Sequence, residues 1–243
     1  MSKVMEIVTA TLDKAVAVPS SVVRGHVDSL RRRNPGAEPA AIVRLLEKEY
    51  LALSTTTGGA VGAAAAIPAV GTGTAIALTT ANVGTYFAAS AAFALAVAEV
   101  HGIAVEDTER RRALLLTTIL GEDGAQVMDE FALLSGGRIA SQLLTKLPIG
   151  TVKAVNSRLA RRMVRNQAGT QGALAVGRVL PFGIGAVVGA SGARALARTV
   201  VKNAREAFGP PPERWAREIE AVAVEVLEEA PLELEASAPR LED

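Results

Sequence analysis

Residues 50–98 read YLALSTTTGGAVGAAAAIPAVGTGTAIALTTANVGTYFAASAAFALAVA. These 49 consecutive positions carry no charged side chain, although 21% of the whole chain is charged. One proline elbow, Ile67-Pro68-Ala69-Val70-Gly71, interrupts the run. Because water solvates apolar surface poorly, the run must be buried in protein or in lipid. That choice decides both the fold and the function.

The uncharged run predicts helices and not strands. Alternating β-branched and aromatic residues between turn signals, which indicate strands, are missing from the chain. Glu38-Pro39 is predicted to open an amphipathic helix that leads into the run, since proline is tolerated in a first turn. Gly73–His101 is predicted to form one long helix, with Gly102 as its C-terminal cap.

A second Gly/Ala-rich segment begins near Gly169 and continues as helix to about Phe208. A small-residue helix, an aliphatic-proline elbow and a glycine-studded helix follow one another at Gly58–Ala81 and again at Gly172–Ala195. Two G-x-x-x-G motifs lie in these segments, Gly58/Gly62 and Gly185/Gly189. Such motifs let a second helix approach closely, either in a membrane or in a protein core.

We therefore predict an all-α fold: a compact helical domain in which two central Gly/Ala-rich hairpins, broken at prolines, are flanked by amphipathic helices. Amphipathic helices are expected over 1–36, the helical domain over 37–230, and a disordered acidic tail over 231–243. The other predicted elements are a serine-capped helix from Ser20, a turn at Asn34–Gly36, a helix from an Asp107 cap to Ile119, a turn at Glu122–Gly124, short helices at 124–135 and 138–146, a basic helix Thr151–Asn166 and an acidic helix Glu213–Glu229.

Composition excludes several classes of chemistry. The 243 residues include no cysteine, which rules out disulfides, thiolate catalysis and cysteine-ligated metals and fits a reducing compartment. The N-terminus lacks a long apolar core and a cleavage site, so no signal peptide is expected. We expect residence in the cytoplasm.

Charge is unevenly distributed although the net charge is only +1. From Phe131 to Arg205 there are 12 Lys/Arg and no acid. From Glu206 to Asp243 there are 11 acids and three bases. Such asymmetry indicates a partner surface or an internal electrostatic contact.

The predicted helix Thr151–Asn166 is basic and amphipathic. Such a helix suits an anionic membrane surface, where each cation contributes about 1 kcal/mol. A solvated face, or a docking site for the acidic C-terminal helix, is the alternative, whereas nucleic acid is disfavoured because no binding motif or aromatic interleaving is present. The candidate lipid-binding cations are Lys153, Arg158, Arg161, Arg162 and Arg165, opposite an apolar face of Val152, Val155, Leu159 and Met163.

The uncharged run is a marginal membrane span. Residues 73–98 are long enough to cross a core of about 30 Å, but they are rich in Thr and Ala and poor in the residues that favour insertion. The proline elbows are too short to cross and are predicted instead to dip into one leaflet or to be buried in the core. The candidate inserting residues are Ile67, Pro68, Leu180, Pro181 and Phe182.

No catalytic, cofactor-binding or metal-binding residue can be nominated. The two histidines, His26 and His101, lie far apart in sequence, and no nucleophile elbow, zinc-protease or phosphate-loop motif occurs. Glu99 and His101 could ligate a metal only with distant partners. We expect a protein that is not an enzyme and that carries no cofactor.

The order of these pieces resembles the EcsC family of bacterial proteins over about residues 40–210. The resemblance rests on Gly62-Ala-Ala-Ala-Ala-Ile-Pro68, Ala98-Glu-Val-His-Gly102, Glu106-Asp107-Thr-Glu-Arg110 with Ala113-Leu-Leu-Leu, and Leu180-Pro-Phe-Gly-Ile-Gly185-Ala-Val-Val-Gly189. His101 departs from the aromatic residue expected there. The family is named after a protein encoded beside an ABC transporter. The resemblance implies a membrane-associated accessory role and no site residue.

The preferred function is peripheral association with the cytoplasmic face of the membrane, with anionic lipid as partner and transporter subunits as a further possible partner. The oligomeric state is left open. Two alternatives are a carrier that holds a lipid or other apolar ligand in a helical cavity and an integral membrane hairpin protein. A further rival, an enzyme acting on a lipid-like substrate, should show a cleft with convergent ionisable groups.

Overall fold

The computed structural model describes residues 3–65, 72–131, 147–176 and 184–215, and within these ranges the chain forms eight α-helices and no strand. This confirms the predicted all-α fold class. The helices are α1 (Lys3–Val16), α2 (Ser20–Arg33), α3 (Pro39–Ala65), α4 (Thr72–Val100), α5 (Thr108–Leu120), α6 (Glu122–Phe131), α7 (Ile149–Val176) and α8 (Ile184–Phe208).

Several predicted elements lie outside the described residues. These are the helix at 138–146, the tail at 231–243, and both proline elbows. The acidic helix predicted from Glu213 to Glu229 overlaps the structure only at its first three residues, which are not helical.

The long uncharged helix α4 ends where a glycine cap was predicted. Gly102 has a φ of 71°, and its N–H donates to Glu99 O at 3.0 Å, while the Ile103 N–H donates to Ala98 O at 2.9 Å. This pair of bonds is a Schellman motif, which satisfies carbonyls that the helix end leaves unpaired. The Asp107 carboxylate then caps α5 by accepting a backbone N–H three residues on at 3.0 Å.

Two local predictions are wrong, one for the start of a helix and one for a turn. Ser20 does not cap α2, because Pro19 occupies the cap position without a side-chain bond and the Ser20 hydroxyl accepts from Arg111 instead. The predicted turn at Glu122–Gly124 is the first turn of α6. Gly121, with a φ of 58°, makes the whole break between α5 and α6, and the acids that follow it favour a helix N-terminus.

The basic helix and the start of the second Gly/Ala-rich segment were predicted as separate elements. They form one continuous helix, α7, which runs 28 residues from Ile149 to Val176. A single glycine inside a helix costs only about 1 kcal/mol, so Gly169 does not interrupt it.

The core is one cluster to which the N-terminal helices also contribute, through Leu12, Val16, Val27 and others. Helix α5 lies at its centre, packed against α1, α4, α6, α7 and α8. Ala113–Thr118 are all buried, so this helix has no solvent-facing side over that stretch. A helix that is buried all round fixes the positions of the helices around it.

The buried Arg111 side chain bonds to the end of α1, to the start of α2 and to the loop before α5. Arg111 donates to the carbonyls of Val105 at 2.7 Å, Val16 at 3.1 Å and Val18 at 2.5 Å, and to the Ser20 hydroxyl. A planar guanidinium with five donors can satisfy several carbonyls at once. Arg111 therefore holds the link between α1 and α2 against the start of α5.

Candidate functional site

Helices α3 and α8 form the most intimate pair in the molecule, and they run antiparallel. Near one end, Arg205 makes a two-pronged bond to the Glu47 carboxylate, at 2.6 and 2.5 Å. Further along the pair, the Arg194 guanidinium donates to the Thr55 hydroxyl at 3.5 Å. These contacts fix which residues of the two helices lie level with each other.

The two G-x-x-x-G motifs lie on the helices of this pair, and at Gly58 the two helices approach closely. A Cβ atom placed on Gly58 would overlap the Ala193 methyl group and would lie 2.7 Å from Gly189 O. Only glycine fits at this position, because the obstacle is the backbone and a methyl group of α8. The two motifs thus meet within one chain, where α3 packs against α8.

Helices α3 and α4 also run antiparallel, around a buried tyrosine. The Tyr50 ring stacks on Phe93 at 4.8 Å between centroids, and its hydroxyl bonds to Ser90 Oγ at 2.8 Å. Burial raises the pKa of Tyr50, partly offset by its bonds to Ser90 and Ser54.

The antiparallel pairing of α3 with α8 and of α3 with α4 brings helix ends that flank both proline elbows to one end of the bundle. Ala65 and Ile184 lie there because Gly58 meets Gly189, and Thr72 lies there because α4 runs antiparallel to α3. We call this the uncharged end and define it as residues 56–65 of α3, 72–85 of α4 and 184–193 of α8. None of these residues carries a charged side chain.

The uncharged end has the depth of half a bilayer core. Ten helical residues, at a rise of about 1.5 Å each, extend about 15 Å from the level of Thr55 and Arg194 to the ends of α3 and α8. The hydrocarbon core of a bilayer is about 30 Å thick. The length suits entry into one leaflet and not a crossing.

The two exposed arginines of α8 that lie nearest the uncharged end were not nominated from the sequence. Arg194 and Arg198 are exposed, and Arg194 marks the boundary of the uncharged end. Beside them, Leu53 of α3 and Leu196 of α8 are 50% and 58% exposed and lie at the same level. The acid-free block pointed to these cations, but their place beside α3 required the register of the pair.

The predicted apolar face of the basic helix is buried. Val152, Val155 and Leu159 have no exposed surface, and Met163 has 3%. Four cations on the other side are exposed: Lys153, Arg158, Arg161 and Arg165. Helix α7 therefore packs against the core through its apolar face and exposes its basic face.

Arg162 is less exposed than the other nominated cations of α7. It is half-buried, and its Nε donates to Asp123 Oδ1 of α6 at 3.0 Å. An arginine engaged with a carboxylate in this way is less available to a second anion. Arg162 therefore belongs to the α6–α7 contact.

The five nominated inserting residues lie outside the described residues, in or beside the segments 66–71 and 177–183: Ile67, Pro68, Leu180, Pro181 and Phe182. Their neighbours in the chain, Ala65, Thr72 and Ile184, are at the uncharged end.

One described helical window, Val83–Val100 of α4, has the length and composition to cross a membrane, with a mean hydropathy of 1.5. Within the protein, 56% of that window is buried. The buried part includes Phe93, Ala94 and Val100, which pack in the core. A buried core helix passes the same test, so the window carries little weight for a membrane span.

A polar cleft of about 230 Å³ lies near the other end of the bundle, between α2, the end of α4 and the loop after it. Two of its charged groups pair with the protein itself: Arg24 with Glu106 at 3.2 Å, and Arg31 with the Trp215 ring at 4.0 Å. Its lining also includes Ser20, Asp28 and Glu99. In the ranges that the structure describes, no three His, Asp or Glu side chains come together as metal ligands.

No family model matches the chain, and no curated protein or solved structure shows significant similarity to it.

Proposed function

We propose that this protein is a non-enzymatic accessory protein that binds peripherally to the cytoplasmic face of a membrane through its uncharged end. The observation that carries the proposal is the coincidence of three charge-free helix ends at one end of the bundle, bordered by exposed arginines. The resemblance to the EcsC family supports the same role and suggests a membrane transporter as a neighbour.

Two free-energy contributions favour shallow binding of the uncharged end to the membrane. The uncharged end contributes apolar area, and burying apolar area stabilises by about 25 cal/mol per Å². Exposed Arg194 of α8 then lies at the level of the anionic headgroups, where a cation contributes about 1 kcal/mol, and the exposed basic face of α7 adds attraction to the same anionic surface. Neither contribution is large alone, and stable peripheral binding generally needs two such signals.

The basic face of α7 gives a direct test by co-sedimentation with vesicles containing phosphatidylserine. Changing Arg158, Arg161 and Arg165 together to glutamate should weaken binding at least about 100-fold, since three attractions become repulsions. Binding of the unaltered protein should also fall with added salt, because salt screens exposed charges.

A matched control makes the same change in charge on helices α2 and α3. Arg32, Arg33 and Lys48 are exposed, and their replacement by glutamate should weaken binding much less. Equal losses in the two triple variants would reduce the effect to net charge and contradict the proposed surface. No binding of the unaltered protein to anionic vesicles would contradict the function itself.

A further inference from the structure

An open groove of about 490 Å³ lies between α3 and α8, outside the uncharged end. We call it the α3–α8 groove and define it by the residues that line it: Glu47, Leu51, Arg198, Val201, Lys202, Arg205 and Glu206. The lining combines apolar side chains with exposed charged ones. Such a surface suits an amphipathic partner that carries charge of the opposite sign.

The cations of the α3–α8 groove outnumber its acids. Arg205 is held by the Glu47 carboxylate in the two-pronged bond described above. Lys202 forms only an exposed pair with Glu206, with 3.6 Å between Nζ and Oε1, and such surface pairs are weak. Arg198 is exposed, and among the described residues no carboxylate pairs with it. The groove therefore favours an acidic partner.

The C-terminal part of the chain passes one end of this groove. A neighbouring cavity that shares Arg205 with the groove is lined by Pro210–Pro211 and by the exposed cation Arg44. Trp215 then fixes the chain beside the start of α3, where its Nε1 donates to the Ala37 carbonyl oxygen at 3.3 Å. The residues that follow Trp215 therefore start from a fixed point near the groove.

Residues 216–230, which lie outside the described residues, have the composition of such a partner. Their sequence is AREIEAVAVEVLEEA, with five acids and one base. The apolar residues that share one face at helical spacing are Ile219, Val222 and Val226. Glu225 and Glu229 are four residues apart, the same spacing as that between Arg198 and Lys202 of α8.

The segment is long enough to lie in the groove. Leu51 is about 20 Å along α3 from Ala37, where Trp215 is bound, at a rise of about 1.5 Å per helical residue. Fifteen residues span about 22 Å as a helix and up to about 50 Å when extended. Residues 216–230 therefore reach the groove in either form.

We propose that residues 216–230 bind in the α3–α8 groove of the same chain. The apolar residues of the segment pack on Leu51 and Val201. Its acids pair with Arg198 and Lys202. The groove is separate from the uncharged end, so this contact does not depend on the proposed membrane association.

Two spin-labelled variants of the full chain locate the segment, since the chain has no cysteine of its own. Ala52→Cys puts a nitroxide one residue from Leu51, and Ser157→Cys puts it on the basic face of α7; both positions are exposed. The amide resonances of residues 216–230 should be broadened by the label at position 52 and not by the label at position 157. Broadening that is as strong from position 157, or none from either position, would overturn the proposal.

A charge exchange tests the pairing. Reversing the groove with Arg198→Glu and Lys202→Glu should remove the broadening from position 52, because attraction becomes repulsion. Adding Glu225→Lys and Glu229→Lys to that variant should restore it. Broadening that survives the first pair of changes, or that the second pair fails to restore, would contradict the electrostatic contact.

The matched control makes the same change in charge on α7, with Lys153→Glu and Arg161→Glu. Both side chains are exposed, and their reversal should leave the broadening from position 52 unchanged. An equal loss in this control would reduce the effect to net charge and refute the groove.

A mixture of two samples separates binding within a chain from binding between chains. When ¹⁵N-labelled protein without a nitroxide is mixed with unenriched Ala52→Cys protein that carries one, the resonances of residues 216–230 should keep their widths. Broadening in the mixture would assign the groove to the segment of a second copy and would contradict the proposal.

Discussion

Gly58 lies where α3 packs closely against α8, and its lack of a side chain is a packing requirement. Gly58→Ala should lower the free energy of unfolding by about 1–3 kcal/mol, as overpacking does, because the new methyl group meets the α8 backbone and Ala193. Chemical denaturation monitored by circular dichroism measures the effect.

The chain provides a matched control for that substitution. Gly25 is also inside a helix, α2, but a Cβ atom there has nothing within 4 Å. Gly25→Ala should therefore stabilise the protein by about 0.5–1 kcal/mol through helix propensity alone. If both variants changed stability in the same direction, Gly58 would not be a packing glycine.

The two tyrosines make stability depend on alkaline pH. Burial raises the pKa of both Tyr50 and Tyr86 above the ordinary value of 10.0, and for Tyr86 the nearby Tyr50 adds to it. Between the unfolded and folded pKa values, the folded state keeps protons that the unfolded state has lost. Stability is therefore fully present below about pH 10 and falls as pH rises above it.

A titration that follows phenolate absorbance and helical circular dichroism together tests this coupling. Phenolate should appear only as helix is lost, and Tyr86→Phe should weaken the pH dependence. Phenolate formation near pH 10 in a fully helical protein would show that the rings are open to solvent. Because alkaline carbonate extraction reaches this pH range, salt is the safer way to release the protein from membranes.

At the scale of elements, the sequence predicted best where one local signal decides the structure. The Asp107 cap and the Gly102 cap are confirmed, since each acts through bonds to its nearest backbone neighbours. Ser20 was misjudged because its hydroxyl is bound by Arg111, which is 91 residues away. Local capping rules cannot anticipate such a distant competitor.

The α3–α8 pair shows the same limit for the candidate site. The small-residue motifs indicated close helix packing, but they did not say which helices would meet. The pairing of Gly58 with Gly189, and the position of Arg194 at the level of Thr55, follow from the tertiary register. Arg194 and Arg198 therefore entered the site only from the structure.

Two exposed alanines of α3 test whether the uncharged end, and not the rest of the helix, contacts lipid. Ala60 and Ala52 are both exposed, and Ala60 lies inside the uncharged end while Ala52 lies outside it. Ala60→Glu should weaken vesicle binding at least about 10-fold, since a carboxylate in the hydrocarbon region costs up to about 3 kcal/mol. Ala52→Glu should have a small effect.

Both alanine variants should keep the thermal stability of the parent within about 0.5 kcal/mol, as exposed substitutions generally do. That control separates membrane binding from folding. Equal binding by the two variants would show that the boundary at Thr55 and Arg194 has no meaning for lipid.

For the whole molecule, the sequence predicted the all-α class of fold, and the structure adds the close pair of α3 and α8 and the polarity of the bundle. The described residues of one end carry no charged side chain, and the other end holds the polar cleft and Trp215. Charge counts along the chain could not show this, because it depends on packing: α3, α4 and α8 each carry their charged side chains only toward one end. Antiparallel packing brings those like ends together.

The central claim is that the uncharged end enters the lipid while the opposite end stays in water, and depth-dependent quenching by brominated lipids tests it most directly. The chain has one tryptophan, Trp215, at the far end. A Phe182→Trp, Trp215→Phe double variant moves the probe to a position two residues before Ile184 in the chain, and Ile184 begins α8 at the uncharged end. On anionic vesicles, its emission should shift to the blue and be quenched by bromines on the acyl chain, while Trp215 of the unaltered protein should be unaffected. Quenching of Trp215, or none of the relocated tryptophan in bound protein, would contradict the account.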